Sequence, residues 1–283
     1  MTKFTRFWAA AAAVALLCGG SWMLVREETM HNRKMAEVRA FSPSVILDAT
    51  EDITTAAETA TSTMTTNTIA ADTAASTAET TTAMPESNIS PQTLEKLKRQ
   101  AAELAEANPN AVGWLYVPDT PIDYPVMQAD NNDFYLDHAA DNSYLKSGSI
   151  FLDCRYEPHF LNPTNIVYGH NMANGTMFGD IRNFRAWSYY DSHPYGWLVN
   201  STEVYRIDFF SLAVVDAYDA LYDGAMALCD WTAHLYDVSM FYDDIDIRED
   251  DRMISLSTCA SDYPDARAVL TGKLIPQGGG FDA

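Results

Sequence analysis

The sequence predicts a mainly β protein: an antiparallel barrel with one helix ahead of it and helical insertions between its strands. Three observations predict this. Beyond Ala111 the chain breaks into short runs rich in Val, Ile, Tyr and Phe: VGWLYVP, IDYPVMQ, GSIFLDC, TNIVYG, GWLV, EVYRIDFFSLAVVDA, RMISLSTC and ARAVLTGKL. Clusters of Gly, Asn and Pro separate them, as turns separate strands. Only two stretches within this region change texture, Thr176 to Trp187 and about Ala220 to Tyr242, the second with a helical stripe of Ala225, Leu228, Trp231 and Leu235. Many short strands with helices on the outside suit a barrel, which removes its own exposed edges.

The elements divide the chain into three parts. Residues 1–26 read as a membrane anchor, with a cleaved signal peptide as the alternative. Lys3 and Arg6 precede an uncharged run from Phe7 to Val25 that is long enough to span a bilayer as a helix. The basic residues before it favour a cytoplasmic N-terminus and a folded part outside the cell membrane. Residues 27–89 are a juxtamembrane segment followed by a Thr/Ala/Ser-rich stretch from Ala49 to about Asn88, which has no aromatic residue. Such a composition buries too little surface to offset its ordering entropy, so it is expected to be a disordered stalk. Residues 90–283 form the folded domain. It opens on SPQTLEKLKRQAAELAEANPN, with Ser90 as N-cap, Pro91 in the first turn, and Leu94, Leu97, Ala101 and Leu104 on one face.

Charge narrows the function. The net charge is −21, yet the first forty residues carry Lys3, Arg6, Arg26, Arg33, Lys34 and Arg39 against Glu27, Glu28 and Glu37. That balance of +3 leaves −24 on the remainder. A field of that sign disfavours nucleic acid as a partner, and suits a soluble domain at a cell surface. Cys154, Cys229 and Cys259 lie beyond the apolar run. Three thiols cannot all pair with one another, so at least one is left over in an oxidising compartment. No Cys or His spacing suggests a zinc site, and neither a metal nor another cofactor is expected.

Cys259 closes the strand MISLSTC, where a rigid element would hold a nucleophile at an exposed rim. A thiol needs a proton acceptor or a nearby cation to react. His170 directly follows the apolar run NIVYG and should also sit at a strand end. Arg267 opens ARAVLTGKL after the loop ASDYPDA. Two antiparallel strands joined by that loop would bring the end of one beside the start of the next, so that the guanidinium could face an acyl oxygen held at the thiol. Each has a plainer reading: a buried thiol, a loop histidine bonded to backbone, and an ion pair of Arg267 with Asp262 or Asp265. His138 and His193 have no strand directly before them, while His31, His159 and His234 fall on juxtamembrane, loop and helical positions.

Order and local sequence go further. TNIVYGHNMANGTMFGDIRNF followed by SLSTCASDYPDARAVLTGKL resembles the catalytic segments of sortases, in which a TLxTC-type strand supplies a cysteine and an arginine opens the next strand. The GHNM block with its MFGDI helix, LDHAADNSYLKSGSIFLDCR and VGWLYVPDTPIDYPVMQ are similar to class B sortases over about residues 90–275. Departures are Cys154 and the long Thr-rich stalk.

The resemblance implies an eight-stranded sortase barrel and a cysteine transpeptidase. By it, Cys259 attacks the carbonyl of a C-terminal sorting signal of the Asn-Pro-x-Thr-Asn kind, His170 is general acid then base, and Arg267 stabilises the oxyanion. The partners implied are secreted proteins bearing that signal and an amine acceptor, from a peptidoglycan precursor or a pilin lysine. Ser257 and Thr258 flank the nucleophile and, with Asn171, are expected to contact substrate. Two rivals remain at this point. Another cell-wall cysteine peptidase fits less well, because papain-like enzymes place the cysteine before the histidine and no SHGC block marks an L,D-transpeptidase. A non-catalytic surface protein on the same barrel would not need all three of Cys259, His170 and Arg267.

Overall fold

A computed structural model describes residues 89–278. The proposed anchor at Phe7–Val25 and the Thr-rich stalk lie outside the described residues. Among the described residues no helix is long and apolar enough to cross a membrane.

The first element is helix α1, Pro91–Ala107, started as its sequence predicts: the Ser90 hydroxyl accepts the Thr93 amide at 3.0 Å and Pro91 occupies the first turn. Leu97, Ala101 and Leu104 are buried along one face, against β1 (Ala111–Tyr116) and β5 (Tyr195–Val199). The remaining strands are β2 (Asp123–Met127), β3 (Ile150–Leu152), β4 (Thr164–Tyr168), β6 (Val204–Asp216), β7 (Ser239–Tyr242), β8 (Arg252–Cys259) and β9 (Ala266–Pro276). Their order is β5-β1-β2-β3-β4-β8-β9-β6-β7, and β5 also pairs with β6. That last pairing closes eight strands into a barrel and leaves β7 as an appended edge.

The strand texture predicts an antiparallel barrel, and two of its pairings depart from that. β2 runs parallel to β3, and β4 parallel to β8. Alternation and burial report which face of a strand is covered, and they are the same for either direction of its neighbour. The second correction concerns Ala220 to Tyr242. Only Leu228–Val238 is a helix, α3, preceded by a 3-10 turn at Ala220–Tyr222 and followed at once by β7. Likewise Thr176 to Trp187 resolves into a 3-10 segment, Gly179–Arg185, leading to the short helix α2, Trp187–Ser192.

Long β6 lets one strand serve two neighbours. Its first half, Val204–Asp208, pairs with β5, and its second half, Ser211–Ala213, pairs with β7 on the same side. The break lies at an irregularity between Phe209 and Ser211 in its pairing with β9, the kind of bulge that bends a strand at a barrel corner. Two apolar layers follow. Val167, Leu212, Ile254, Leu256 and Leu270 fill the barrel. Outside the same wall, Phe210, Val215, Met253 and Val269 bury Trp231 and Leu235 of α3.

Candidate active site

The two layers fix which way Cys259 points. Ile254 and Leu256 of β8 face the barrel interior, whereas Met253 lies in the outer layer. Strand alternation therefore turns Ser255, Ser257 and Cys259 outward. β9 pairs with β8 in a register that sets Arg267 directly opposite Cys259, and cross-strand partners share a face. On the other side, β4 lies parallel to β8 with Tyr168 level with Ser257, and the Gly169 amide donates to the Ser257 carbonyl at 3.1 Å. Two residues further along that register, His170 comes level with Cys259. Three residues far apart in the chain thus stand abreast at the ends of three adjacent strands.

They line one groove of about 960 Å³, together with Ser257 and Thr258. Among the described residues, His170 is the only histidine lining it. Its Nε2 lies 2.8 Å from the Leu136 carbonyl oxygen. A carbonyl only accepts, so Nε2 carries the proton, and in the neutral ring Nδ1 is left with its lone pair. Arg267 donates through Nη1 to the Ala266 carbonyl at 3.0 Å, which leaves Nε and Nη2 for a ligand. The Cys259 side chain is exposed, and Cys154 and Cys229 are free thiols as well. No group of three or more His, Cys, Asp or Glu suited to a metal occurs among the described residues.

The other expected contact residues have distinct settings. Ser257 is buried, and its hydroxyl shares a 2.7 Å hydrogen bond with the Tyr222 hydroxyl. Thr258 is buried with no hydrogen-bond partner for Oγ1 among the described residues. Asn171 donates from Nδ2 to the Cys259 carbonyl at 2.8 Å, so its amide is directed at the backbone of the nucleophile's strand.

Asp153, Arg155, Tyr168 and Tyr222, which sequence reasoning missed, line the far part of the groove. Asp153 is fully buried. Burial alone would raise its pKa, but it accepts from the Arg155 amide, from Arg155 Nε and Nη2 at 2.9 and 2.8 Å, and from the Tyr168 hydroxyl at 3.0 Å. Those bonds prevail and hold it below the usual carboxylate range. Arg155 Nη2 also reaches the Tyr222 carbonyl at 3.2 Å, and the Tyr222 ring stacks on Tyr168. Burial pushes the Tyr222 hydroxyl up to about 12 even though its bond from Ser257 acts the other way. The signal in the sequence was the tyrosine two places before His170 and the Asp153-Cys154-Arg155 run that ends LDHAADNSYLKSGSIFLDCR.

The sortase domain family matches residues 115–275, more than half of the chain and every strand just described that bears on the groove. This chain belongs to the sortase family. Its relatives set it among the class B sortases. Sortase B of Listeria monocytogenes is 32% identical over 195 residues, 67% of this chain and 78% of that protein. The Staphylococcus aureus sortase B–substrate complex superimposes with a TM-score of 0.61 at 27% identity, over 66% of this chain and 92% of that one. A Streptococcus pyogenes class B sortase involved in pilus biogenesis gives a TM-score of 0.58 at 29% identity, over 62% and 97% of the two chains. This sortase is accordingly a cysteine transpeptidase of the cell envelope, built on the eight-stranded barrel that its strand texture and motifs predict.

Proposed function

We propose that this sortase cleaves a C-terminal sorting signal through a thioester on Cys259 and passes the acyl group to an amine of the cell envelope. The observation that carries the reading is the alignment of Cys259, His170 and Arg267 at the ends of β8, β4 and β9 along one groove. Nδ1 of His170 takes the thiol proton as the Cys259 sulfur attacks the scissile carbonyl, the C–S bond forms and the carbonyl electrons move onto its oxygen. As the tetrahedral adduct collapses and the C–N bond breaks, His170 delivers a proton from Nδ1 to the departing amine. An incoming amine then attacks the thioester, His170 takes the amine's proton and passes it to the departing sulfur as the C–S bond breaks, and the free thiol is restored. Arg267 directs Nε and Nη2 at the developing oxyanion, where a planar fork serves better than a point charge. Ser257, Thr258 and Asn171 complete the contacts to the bound signal, with the Thr258 hydroxyl supplying an unused hydrogen-bonding group.

The natural donors are secreted proteins ending in a sorting signal of the Asn-Pro-x-Thr-Asn kind. The acceptor is an amine of a peptidoglycan precursor, or a pilin lysine. The similar Streptococcus pyogenes enzyme is involved in pilus biogenesis, which keeps the second acceptor in view. The uncharged run Phe7–Val25 would tether the enzyme to the membrane, with the catalytic domain outside. Mass spectrometry tests the chemistry directly. Wild-type protein incubated with a sorting-signal peptide and no amine should gain the mass of the acyl fragment on Cys259, and an added amine should discharge it. No adduct with any such peptide, together with unchanged surface anchoring in cells expressing Cys259→Ala, would refute the proposal.

A further inference from the structure

The loop that carries His170 is tied to the end of β8 by the Asn171–Cys259 bond described above, and also by a second, more distant link. Arg185 closes the 3-10 segment Gly179–Arg185 and forks onto Asp262, with Nη1 to Oδ1 at 2.9 Å and Nη2 to Oδ2 at 2.6 Å. Asp262 lies in the loop that joins Cys259 to Arg267. Residues 261–265 of that loop are exposed, and its backbone is pinned near Arg267 by the Ala217 amide on the Asp265 carbonyl at 2.9 Å, so the Arg185 fork is the tie that joins it to the 3-10 segment.

The 3-10 segment is in turn joined to the His170 loop. The Phe178 amide donates to the His170 carbonyl at 3.0 Å, and Arg182 Nη2 donates to the Ala173 carbonyl at 3.2 Å. Gly179 backs onto Met172 so closely that a Cβ would collide with the Met172 carbonyl. Displacement of the segment would therefore carry the His170 loop with it. The Arg185 side chain is itself confined, with Nε buried and lacking a partner among the described residues. We infer that Arg185 and Asp262 are positioning residues, a brace that fixes His170 relative to Cys259 and Arg267 while the acyl group is transferred.

The inference rests on the roles proposed for those three residues. Its physical basis is geometric. A partly exposed ion pair adds little to global stability, but a bidentate fork fixes both the distance and the orientation of the two segments it joins. Misplacement of reacting groups by about 1 Å is enough to cost on the order of a hundredfold in rate. The brace should therefore act on turnover and leave peptide affinity and melting temperature nearly alone.

The experiment compares Asp262→Asn, Arg185→Gln and the swapped pair Arg185→Asp with Asp262→Arg, all in the full chain. Each is assayed for transfer of a sorting-signal peptide to an amine and for thermal unfolding. Both single variants should lose about 10- to 100-fold in kcat, with KM held within about twofold. Each should stay folded at the assay temperature, and the swapped pair should recover part of the loss. Wild-type kcat in both single variants overturns the brace. So does a loss that tracks unfolding and that the swap does not relieve. Wild-type protein, run alongside for the Cys259 adduct, separates the two failures. An adduct in wild type with unaltered variants removes the brace alone, whereas no adduct in wild type removes the transfer chemistry and the brace together.

Discussion

His170 holds its ring against the Leu136 carbonyl through Nε2, and the consequence is a single defined tautomer in the resting site. His170→Ala should lower turnover by about 10²- to 10⁴-fold, the usual worth of acid–base catalysis, and still leave Cys259 open to alkylation. Loss of alkylation in that variant would instead tie the histidine to the thiol's accessibility or ionisation. Arg267→Lys keeps the charge opposite Cys259 but loses the fork. A kcat defect in steady-state transfer assays would favour directed hydrogen bonds over simple charge. The accessory thiols should not matter. Cys154 lies in the turn after β3, Cys229 is exposed on α3, and neither stands in register with His170. Replacing both with Ser should leave activity within a few-fold in the same assay, and abolished activity in a folded double variant would contradict that.

At the level of elements, the carbonyl that orients His170 depends on a glycine far from it in sequence. Gly148 has φ +56°, and a Cβ there would strike the carbonyl groups of Tyr135 and Leu136. Gly148→Ala therefore combines left-handed strain with a backbone clash, and should destabilise the domain by about 1–3 kcal/mol in denaturant unfolding. It should also lower kcat, because the Leu136 carbonyl must shift. Gly278→Ala is the control: φ is +78°, but the site opens on empty space, so only the backbone penalty applies. Equal stability losses in the two variants would show that the Leu136 contact is not what makes Gly148 necessary. On the outer wall, Trp231 is 1% exposed and packs with Met253 and Val269, strand residues on the same face as Cys259 and Arg267. Trp231→Ala should cost about 3–5 kcal/mol by the same measurement.

Over the whole molecule the balance is acidic, and among the described residues the Asp153 carboxylate is fully buried. Its folded pKa lies below the unfolded value, which is about 3.9 for an ordinary Asp. The sign follows from linkage. The stabilisation is fully present above about pH 4 and is lost as pH falls through the lowered folded value. Melting temperature measured between neutral pH and pH 2 should therefore drop on the acid side in wild type, and drop less steeply in Asp153→Asn. Parallel acid limbs in the two proteins would show that other carboxylates govern acid unfolding.

Much of this protein was legible in its sequence because burial leaves a local record. The Ser90 cap, the Leu97 and Leu104 face, the alternation of RMISLSTC and the turn clusters all report local conformation and which side is covered, and those depend on near neighbours. The adjacency of Cys259 and Arg267 was also legible, since a short loop between antiparallel strands leaves few alternatives. Strand direction was not. The parallel pairing of β4 with β8, which brings His170 level with Cys259, joins segments some 88 residues apart, and no local pattern encodes it. β7 was hidden because Ser239–Tyr242 follows α3 without a break and takes its strand form only from its pairing with β6. The supporting contacts were hidden for the same reason. The Leu136 carbonyl on His170, the Tyr222 hydroxyl on Ser257 and the Arg185 fork on Asp262 are distances across the folded chain, and only tertiary packing sets them.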